Sequence, residues 1–221
     1  MKTAIIRFLG TNCDMDCKYA CDAVGAKSEF VWYEETTLKG FDIVILPGGF
    51  SYGDYLRSGV LAKFSPIMQA VKEFAKYGGK IIGICNGFQI LTESHLLPGT
   101  LLKNKNLRFI HKEVYLKKEE SNCFFTQKVE KNILKLPIAH GDGNYFCSND
   151  ELKTLEDNSM IVLRYSSKYA NTNEEFNPNG SIKNIAGICN KNGNIFGLMP
   201  HPERAVGDLG IEGEEIFRSF I

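Results

Sequence analysis

The chain has little that would send it to a membrane, to nucleic acid or to an oxidising compartment. No stretch of its 221 residues approaches the ~20 consecutive apolar residues of a bilayer span. Met1-Lys-Thr-Ala-Ile-Ile-Arg7 begins like a signal peptide, but Arg7 cuts the apolar run short and no small-residue cleavage site follows, so a cytoplasmic protein is expected. Lys plus Arg and Asp plus Glu number 26 each. With the charges balanced, no global field draws nucleic acid or an anionic surface, and neither is expected as a partner. Cysteines number seven, an odd count, which argues against a fully paired disulfide framework and for a reducing compartment. A phosphate-binding G-x-x-x-x-G-K-[ST] loop is also missing. Gly25-Ala-Lys27-Ser28 echoes its tail but lacks the earlier glycine and precedes a strand rather than a helix. There is no internal repeat, low-complexity tract or linker, and the length suits one domain, 1–221, with a sizeable core.

What is present alternates. Thr3–Phe8 reads as a strand, Asp14–Val24 as a helix capped by Asn12 or Asp14, and Lys27–Tyr33 and Asp42–Leu46 as two further strands. Pro66–Tyr77 is an amphipathic helix, Lys80–Ile84 a strand, and Gly87–Thr92 the helix after it. Such alternation with short turns predicts a parallel, doubly wound sheet. Beyond Leu97 the pattern changes to half-exposed antiparallel strands: Arg108–Lys118, Leu136–His140, Met160–Ser166, Ile185–Cys189 and Asn194–Met199, with a short helix over Asn149–Glu156. The polar stretch Asn171–Asn184 reads as a solvent-facing hairpin or flexible lobe.

The chemistry concentrates at Gly83-Ile-Cys85-Asn-Gly87-Phe-Gln89. An apolar strand that ends in G-x-C-x-G and runs into a helix is the cysteine counterpart of a nucleophile elbow. The glycines let strand and helix approach closely, and the helix points its first N–H groups at the sulfur. A histidine and an acid follow near the C-terminus, in Pro200-His201-Pro202-Glu203. Pro202 favours an extended His201, and in an extended segment His201 and Glu203 face one way. Nucleophile, base and orienting acid are then all present in Cys85, His201 and Glu203. The strand Asp42–Leu46 breaks at Pro47-Gly48-Gly49, where backbone N–H groups offer an oxyanion hole together with the N–H of Asn86. Pro-Gly-Gly as a plain turn is the competing reading. Gln89, one helical turn past Cys85, can face the same pocket. Cys13, Cys17 and Cys21 fall at i, i+4, i+8. That spacing fits no common zinc or iron–sulfur pattern and reads as one buried helix face, and Cys123, Cys147 and Cys189 read as packing residues.

Taken in order, Pro47-Gly-Gly49, Gly83-x-Cys85-x-Gly87-x-Gln89 and His201-Pro-Glu203 resemble the class I (triad) glutamine amidotransferases. Gly10-Thr-Asn-Cys-Asp14, the segment Pro47–Arg57, Asn86 after the nucleophile, Ala139-His-Gly-Asp-Gly143 and Gly197–Arg204 are similar to one branch, the glutaminases of purine biosynthesis. One departure is Asp142-Gly143-Asn144, where that branch leads one to expect Glu, Gly and often Arg. The resemblance spans essentially the whole chain. It implies a single-domain, flavodoxin-like α/β fold with a doubly wound, mostly parallel sheet and antiparallel additions in the C-terminal half. It implies Cys85 as nucleophile, His201 and Glu203 as its partners, Gly48, Gly49 and Asn86 around the oxyanion, and Gln89 in contact with L-glutamine.

Because the chain itself has no site for a phosphorylated ribonucleotide or its activation, ammonia must pass to another protein. The resemblance names that protein as a large ATP-dependent synthase subunit, with a small accessory subunit beside it. No cofactor and no metal are expected in this chain, and ATP and magnesium belong to the synthase. A redox-sensing thiol protein on a similar scaffold would need no His-x-Glu, and a dead amidotransferase would carry an altered triad. Cys85-Asn86 and the Phe50–Arg57 segment count against the amidotransferases of other pathways.

Overall fold

The apolar runs of the first hundred residues line up side by side in the computed structural model, which describes residues 1–221. β1 (Lys2–Arg7) and β2 (Lys27–Trp32) are linked by α1 (Asp14–Ala23), and β3 (Ile43–Leu46) and β4 (Lys80–Ile84) by α2 (Pro66–Lys76). All three pairings among these strands are parallel. β3 is buried at every position, as a strand covered on both faces by helices must be. α3 (Asn86–Glu93) leaves β4 and is itself buried along its whole length.

The second half adds β6 (Ile110–Lys118), β7 (Ile133–His140), β9 (Ile161–Ser166), β10 (Ile185–Cys189) and β11 (Ile195–Leu198). A separate small ribbon pairs β5 (Thr100–Leu102) with β8 (Asn144–Phe146). The large sheet runs β2-β1-β3-β4-β11-β10-β9-β6-β7. β11 joins β4 in parallel, and everything beyond it is antiparallel. This is the doubly wound, mostly parallel sheet with antiparallel additions that the sequence predicts. The sheet curls so that its far edge returns to the middle: Pro137 O of β7 accepts from His201 N–H at 2.8 Å. A proline inside a strand is tolerated only at an edge, and β7 pairs with β6 alone.

Two local expectations need correction. Neither Asn12 nor Asp14 caps α1. Cys13 holds the cap position without a side-chain bond, while Asp14 pairs with Arg7, an acid at the positive end of the helix dipole. The stretch Asn171–Asn184 is not a hairpin, and its solvent-facing part is mainly its first half, with 171–175 exposed. It forms two short 3₁₀ turns, Glu174–Phe176 and Ile182–Asn184, with Asn179, Ser181 and Asn184 buried. Their side chains bond the backbone of Gly143 and Tyr165, so short polar side chains replace the strand ladder. Element ends otherwise move little, the main extension being β7, whose buried alternation starts at Leu134.

Candidate active site

Strand register brings the predicted residues together. Leu46 of β3 lies opposite Gly83, and Leu198 of β11 opposite Ile84. The chain therefore leaves all three strands at one end of the sheet, where α/β proteins place their chemistry. Cys85 stands in the middle. Its N–H donates to Leu198 O at 2.8 Å, and its backbone sits at φ 50, ψ −104, a conformation that costs on the order of 1–3 kcal/mol and marks functional positions. The turn is this sharp because α3 lies directly on β3: a Cβ on Gly87 would come within 1.9 Å of Leu46 O.

His201 and Glu203 meet, but by a geometry other than the expected one. Beyond β11, Pro202–Arg204 forms a 3₁₀ turn, because proline's fixed φ favours the first position of a helical turn. The turn, rather than an extended segment, swings the carboxylate back, and His201 Nδ1 lies 2.6 Å from Glu203 Oε1. Both side chains are buried. Burial pushes the imidazole down, but the Glu203 carboxylate and the Cys85 sulfur push it up and prevail, so His201 titrates well above the ordinary histidine range. Its Nε2 is buried with no protein partner.

The Pro47-Gly48-Gly49 turn is held by the loop after β1. Thr11 bridges to Gly49, Cys13 N–H donates to Gly48 O at 3.2 Å, and Phe50 N–H to Gly10 O at 3.0 Å. Gly49 has φ +146, and a Cβ there would meet Asn12 N at 2.8 Å. Only glycine fits. The N–H groups of Gly48 and Gly49 have no backbone acceptor, and Asn86 N–H, at the first position of α3, has none within the helix.

Cys85, His201, Gly49 and Gln89 line one cavity of about 490 Å³. Gln89 is there as expected, but its amide is already engaged: Oε1 accepts from Asn86 Nδ2 at 2.8 Å and Nε2 donates to Asp142 O at 2.7 Å. Asn86 in turn accepts from Ser51 N–H at 3.1 Å. A larger cleft of about 1000 Å³ lies around Lys105, Glu119 and Arg164. It is lined by no cysteine or histidine, and Lys105 pairs with Glu174 and Arg164 with Glu119.

Several residues of the cavity lie beyond the site residues that the sequence singles out. His140 is one. Its Nδ1 lies 3.0 Å from Asn104 Oδ1, while Asn104 Nδ2 donates to two carbonyls. That fixes the amide, makes Nδ1 the protonated nitrogen, and leaves Nε2 as an acceptor without a partner. Burial, with help from His201, lowers its pKa to about 4. Cys13 is the second. It lies on the buried face of α1 as predicted, but it also reaches the cavity, where Arg204 Nη2 donates to its sulfur at 3.1 Å. Burial raises its thiol. Asp54, Ser58 and the Asp142 carboxylate are the third group: Ser58 Oγ lies 3.2 Å from Asp54 Oδ2 and 2.9 Å from Asp142 Oδ2. The segments Gly10–Asp14, Pro47–Arg57 and Ala139–Gly143, quoted for the resemblance, contain Cys13, Asp54, His140 and Asp142 without assigning them a role, and Ser58 lies outside all three. All seven cysteines are free thiols, and no helix is long and apolar enough to cross a membrane.

Residues 1–212 match the CobB/CobQ-like glutamine amidotransferase domain. The phosphoribosylformylglycinamidine synthase subunit PurQ of Pelagibacter ubique is 51% identical over 215 residues, 97% of this chain and 94% of that protein. The subunit of the same name from Aquifex aeolicus is 52% identical over 211 residues, 95% and 93% of the two chains. The structure of PurLQS from Thermotoga maritima contains a chain that superposes with a TM-score of 0.86 at 40% identity, covering 99% of this chain and 96% of that one. A putative GMP synthase subunit from Thermoplasma acidophilum, at a TM-score of 0.67 and 16% identity over 100% and 92% of the chains, shares the fold. The chain belongs to the CobB/CobQ-like glutamine amidotransferase family, within its branch of phosphoribosylformylglycinamidine synthase PurQ subunits.

Proposed function

We propose that this chain is the glutaminase subunit of phosphoribosylformylglycinamidine synthase: it hydrolyses glutamine to glutamate and passes the ammonia to a large ATP-dependent synthase subunit. That partner uses it to convert formylglycinamide ribonucleotide to formylglycinamidine ribonucleotide in purine biosynthesis, with a small accessory subunit in the complex. ATP and magnesium sit on the synthase, and the complex works in the cytoplasm. All 221 residues act as one amidotransferase domain around a single core. The observation that carries this reading is the buried 2.6 Å contact between His201 and Glu203, set beside a cysteine on a strained strand–helix turn.

The steps follow from the atoms. The Cys85 sulfur attacks the side-chain carbonyl carbon of glutamine, and charge gathers on its oxygen. Gly49 N–H and Asn86 N–H hold that oxygen, donors whose removal costs ~10²–10³-fold in comparable sites. Gly48 sets the peptide that aims Gly49. His201, kept protonated by Glu203 and the sulfur, gives a proton to the departing ammonia and then takes one from the water that cleaves the glutamyl thioester. Gln89, its oxygen and one N–H tied down by Asn86 and Asp142, contacts the substrate with what remains of its amide.

Glutamine hydrolysis by the chain alone, then with synthase, accessory subunit and nucleotides added, tests the assignment. Phe50, 49% exposed, lines the cavity and Tyr55, 91% exposed, follows on the same segment after Gly49, whereas Tyr52 turns inward to Ser65 at 2.7 Å. A partner seated on the two exposed rings would press on the Gly48–Gly49 turn. Low turnover alone and a marked rise on assembly are expected. A rate that stays unchanged with this synthase and rises with that of another pathway would overturn the reading.

A further inference from the structure

Cys13 has no step in the reaction, yet the fold brings it to the catalytic histidine. It lines the cavity with Cys85 and His201, whereas Cys17 and Cys21, on the same face of α1, are sealed in the core. Its sulfur, a ring nitrogen of His201 and a carboxylate oxygen of Glu203 all lie within 4.8 Å of one another. Sulfur and ring meet beside Gly48: a Cβ there would stand 3.0 Å from Cys13 Sγ and 2.9 Å from His201 Cε1. Glycine keeps that space free. Cys13 also holds the cap position of α1, where the helix dipole favours an anionic sulfur, and Arg204 Nη2 donates to it at 3.1 Å. Burial outweighs these and raises the thiol, so Cys13 keeps its proton until a cation displaces it.

A second observation is independent of Cys13. His201 Nε2, on a side chain 2% exposed, has no protein partner, and Glu203 Oε2 leaves a bare carboxylate oxygen beside it. Glu203 Oε1 holds Nδ1 at 2.6 Å, which leaves Nε2 as the free ring nitrogen. A carboxylate behind the far nitrogen is the arrangement that fixes a metal-ligating histidine and raises its basicity. Two cysteines and one histidine form a donor set that zinc accepts, with a fourth position open to water. Soft sulfur does not suit the magnesium that accompanies ATP. The spacing of cysteines along α1 cannot reveal this set, because its members stand at positions 13, 85 and 201.

We infer that Cys13, Cys85 and His201 form an inhibitory zinc site, in which the metal ties the nucleophile and the base to a third donor that takes no part in turnover. Zn–S and Zn–N bonds form, the protons they replace leave to solvent, and nothing is oxidised or reduced. Glu203 stays on Nδ1. Zinc ligands at ~2.0–2.3 Å from the metal stand roughly 3.5 Å from one another in a tetrahedral site. From a separation of no more than 4.8 Å, Cys13 therefore closes on the ring by about an ångström or less, a side-chain adjustment beside Gly48. The site itself follows from the placement of these groups. That filling it stops catalysis rests on the glutaminase reading.

The test uses the assembled complex with free zinc set by a metal buffer, and follows synthesis from glutamine and from added ammonia side by side. Zinc is expected to suppress the glutamine-dependent rate, to spare the ammonia-dependent rate, and to be reversed by a zinc-selective chelator. Cys13→Ala should keep its zinc-free turnover within about 3-fold. It should need at least ~10²-fold more zinc for half-inhibition, since even a group hydrogen-bonded behind a ligand is worth ~10–100-fold in affinity. Cobalt(II) added to the full chain reads the ligands without any activity: a tetrahedral spectrum with thiolate charge-transfer bands is expected, and those bands should fall by about half per bound cobalt in Cys13→Ala. Absence of inhibition, equal suppression of both nitrogen sources, equal zinc sensitivity of wild type and Cys13→Ala, or identical cobalt spectra would overturn the inference with the glutaminase reading intact. A zinc-free wild type with no glutamine-dependent synthesis removes that reading, while the cobalt spectra still decide the site.

Discussion

His201 and His140 are equally deep, 2% and 3% exposed, and line the same cavity, yet the protein gives them opposite charge states. Burial alone pushes any imidazole toward the neutral form. At His140 burial is reinforced by the charge of His201 and opposed only by a smaller backbone contribution: the side-chain partner is the neutral amide of Asn104, and the pKa falls to about 4. At His201 the partner is a carboxylate at 2.6 Å with a thiol close by, and the direction reverses. Partner chemistry, rather than depth, decides which ring moves protons and which accepts a hydrogen bond. One fold thereby provides a proton donor and a fixed acceptor side by side.

The most severe way to break this contrast is to remove the sulfur. Cys85→Ser in the assembled complex should lower glutamine-dependent synthesis by at least ~10⁴-fold, while synthesis from added ammonia persists, because the chemistry on the ribonucleotide lies in the partner. Full glutaminase activity in that variant would dispose of the assignment. Removing the proton carrier comes next. His201→Ala should cost ~10²–10⁴-fold in turnover, and Glu203→Gln less, since the neutral amide still orients the ring but no longer supports its charge. The Glu203→Gln variant should also shift the pH–rate profile, whereas a merely structural loss would scale it uniformly.

His140 sharpens the comparison through stability. Its folded pKa, about 4, lies below the ~6.5 of an unfolded histidine. Between those values the unfolded chain binds the proton and the folded one does not, so stability is complete above about pH 6.5 and is lost as pH falls toward 4. The loss amounts to about 3 kcal/mol for a shift of this size. His140→Gln should flatten that acid limb in urea unfolding at pH 4.5 and 7. An identical limb in both proteins would mean that His140 is not the group responsible. The smallest effect is expected at Cys13, which touches Arg204 but has no step in the reaction. Cys13→Ala should change glutamine turnover by no more than about 3-fold, and a loss comparable to that of Cys85→Ser would show two essential thiols where the account has one.

The contrast also marks where the sequence is readable. Cys85, His201 and Glu203 sit in local punctuation: a glycine-flanked strand end and a Pro-His-Pro-Glu turn. Even there the turn departs from the extended reading, because prolines that favour extension before them also start a 3₁₀ turn after them, and only tertiary packing chooses between these. The parallel half of the sheet is equally open to reading, since each buried strand is a continuous apolar run. The opposite wall of the cavity is not. His140 depends on Asn104, 36 positions away, and Ser58 meets Asp142 across 84 positions. Such pairs leave no periodicity in either segment. The second half of the polar stretch Asn171–Asn184 misleads for the same reason: composition suggests solvent, while Asn179 and Asn184 face backbone that only the fold brings near.

The most direct test of the two charge states is a titration of both imidazoles by NMR in ¹⁵N-histidine-labelled protein, assigned with the single variants. The account predicts that His201 keeps its proton through neutral pH and His140 stays neutral until about pH 4. Two rings titrating together near 6.5, or a neutral His201 at pH 7, would contradict it.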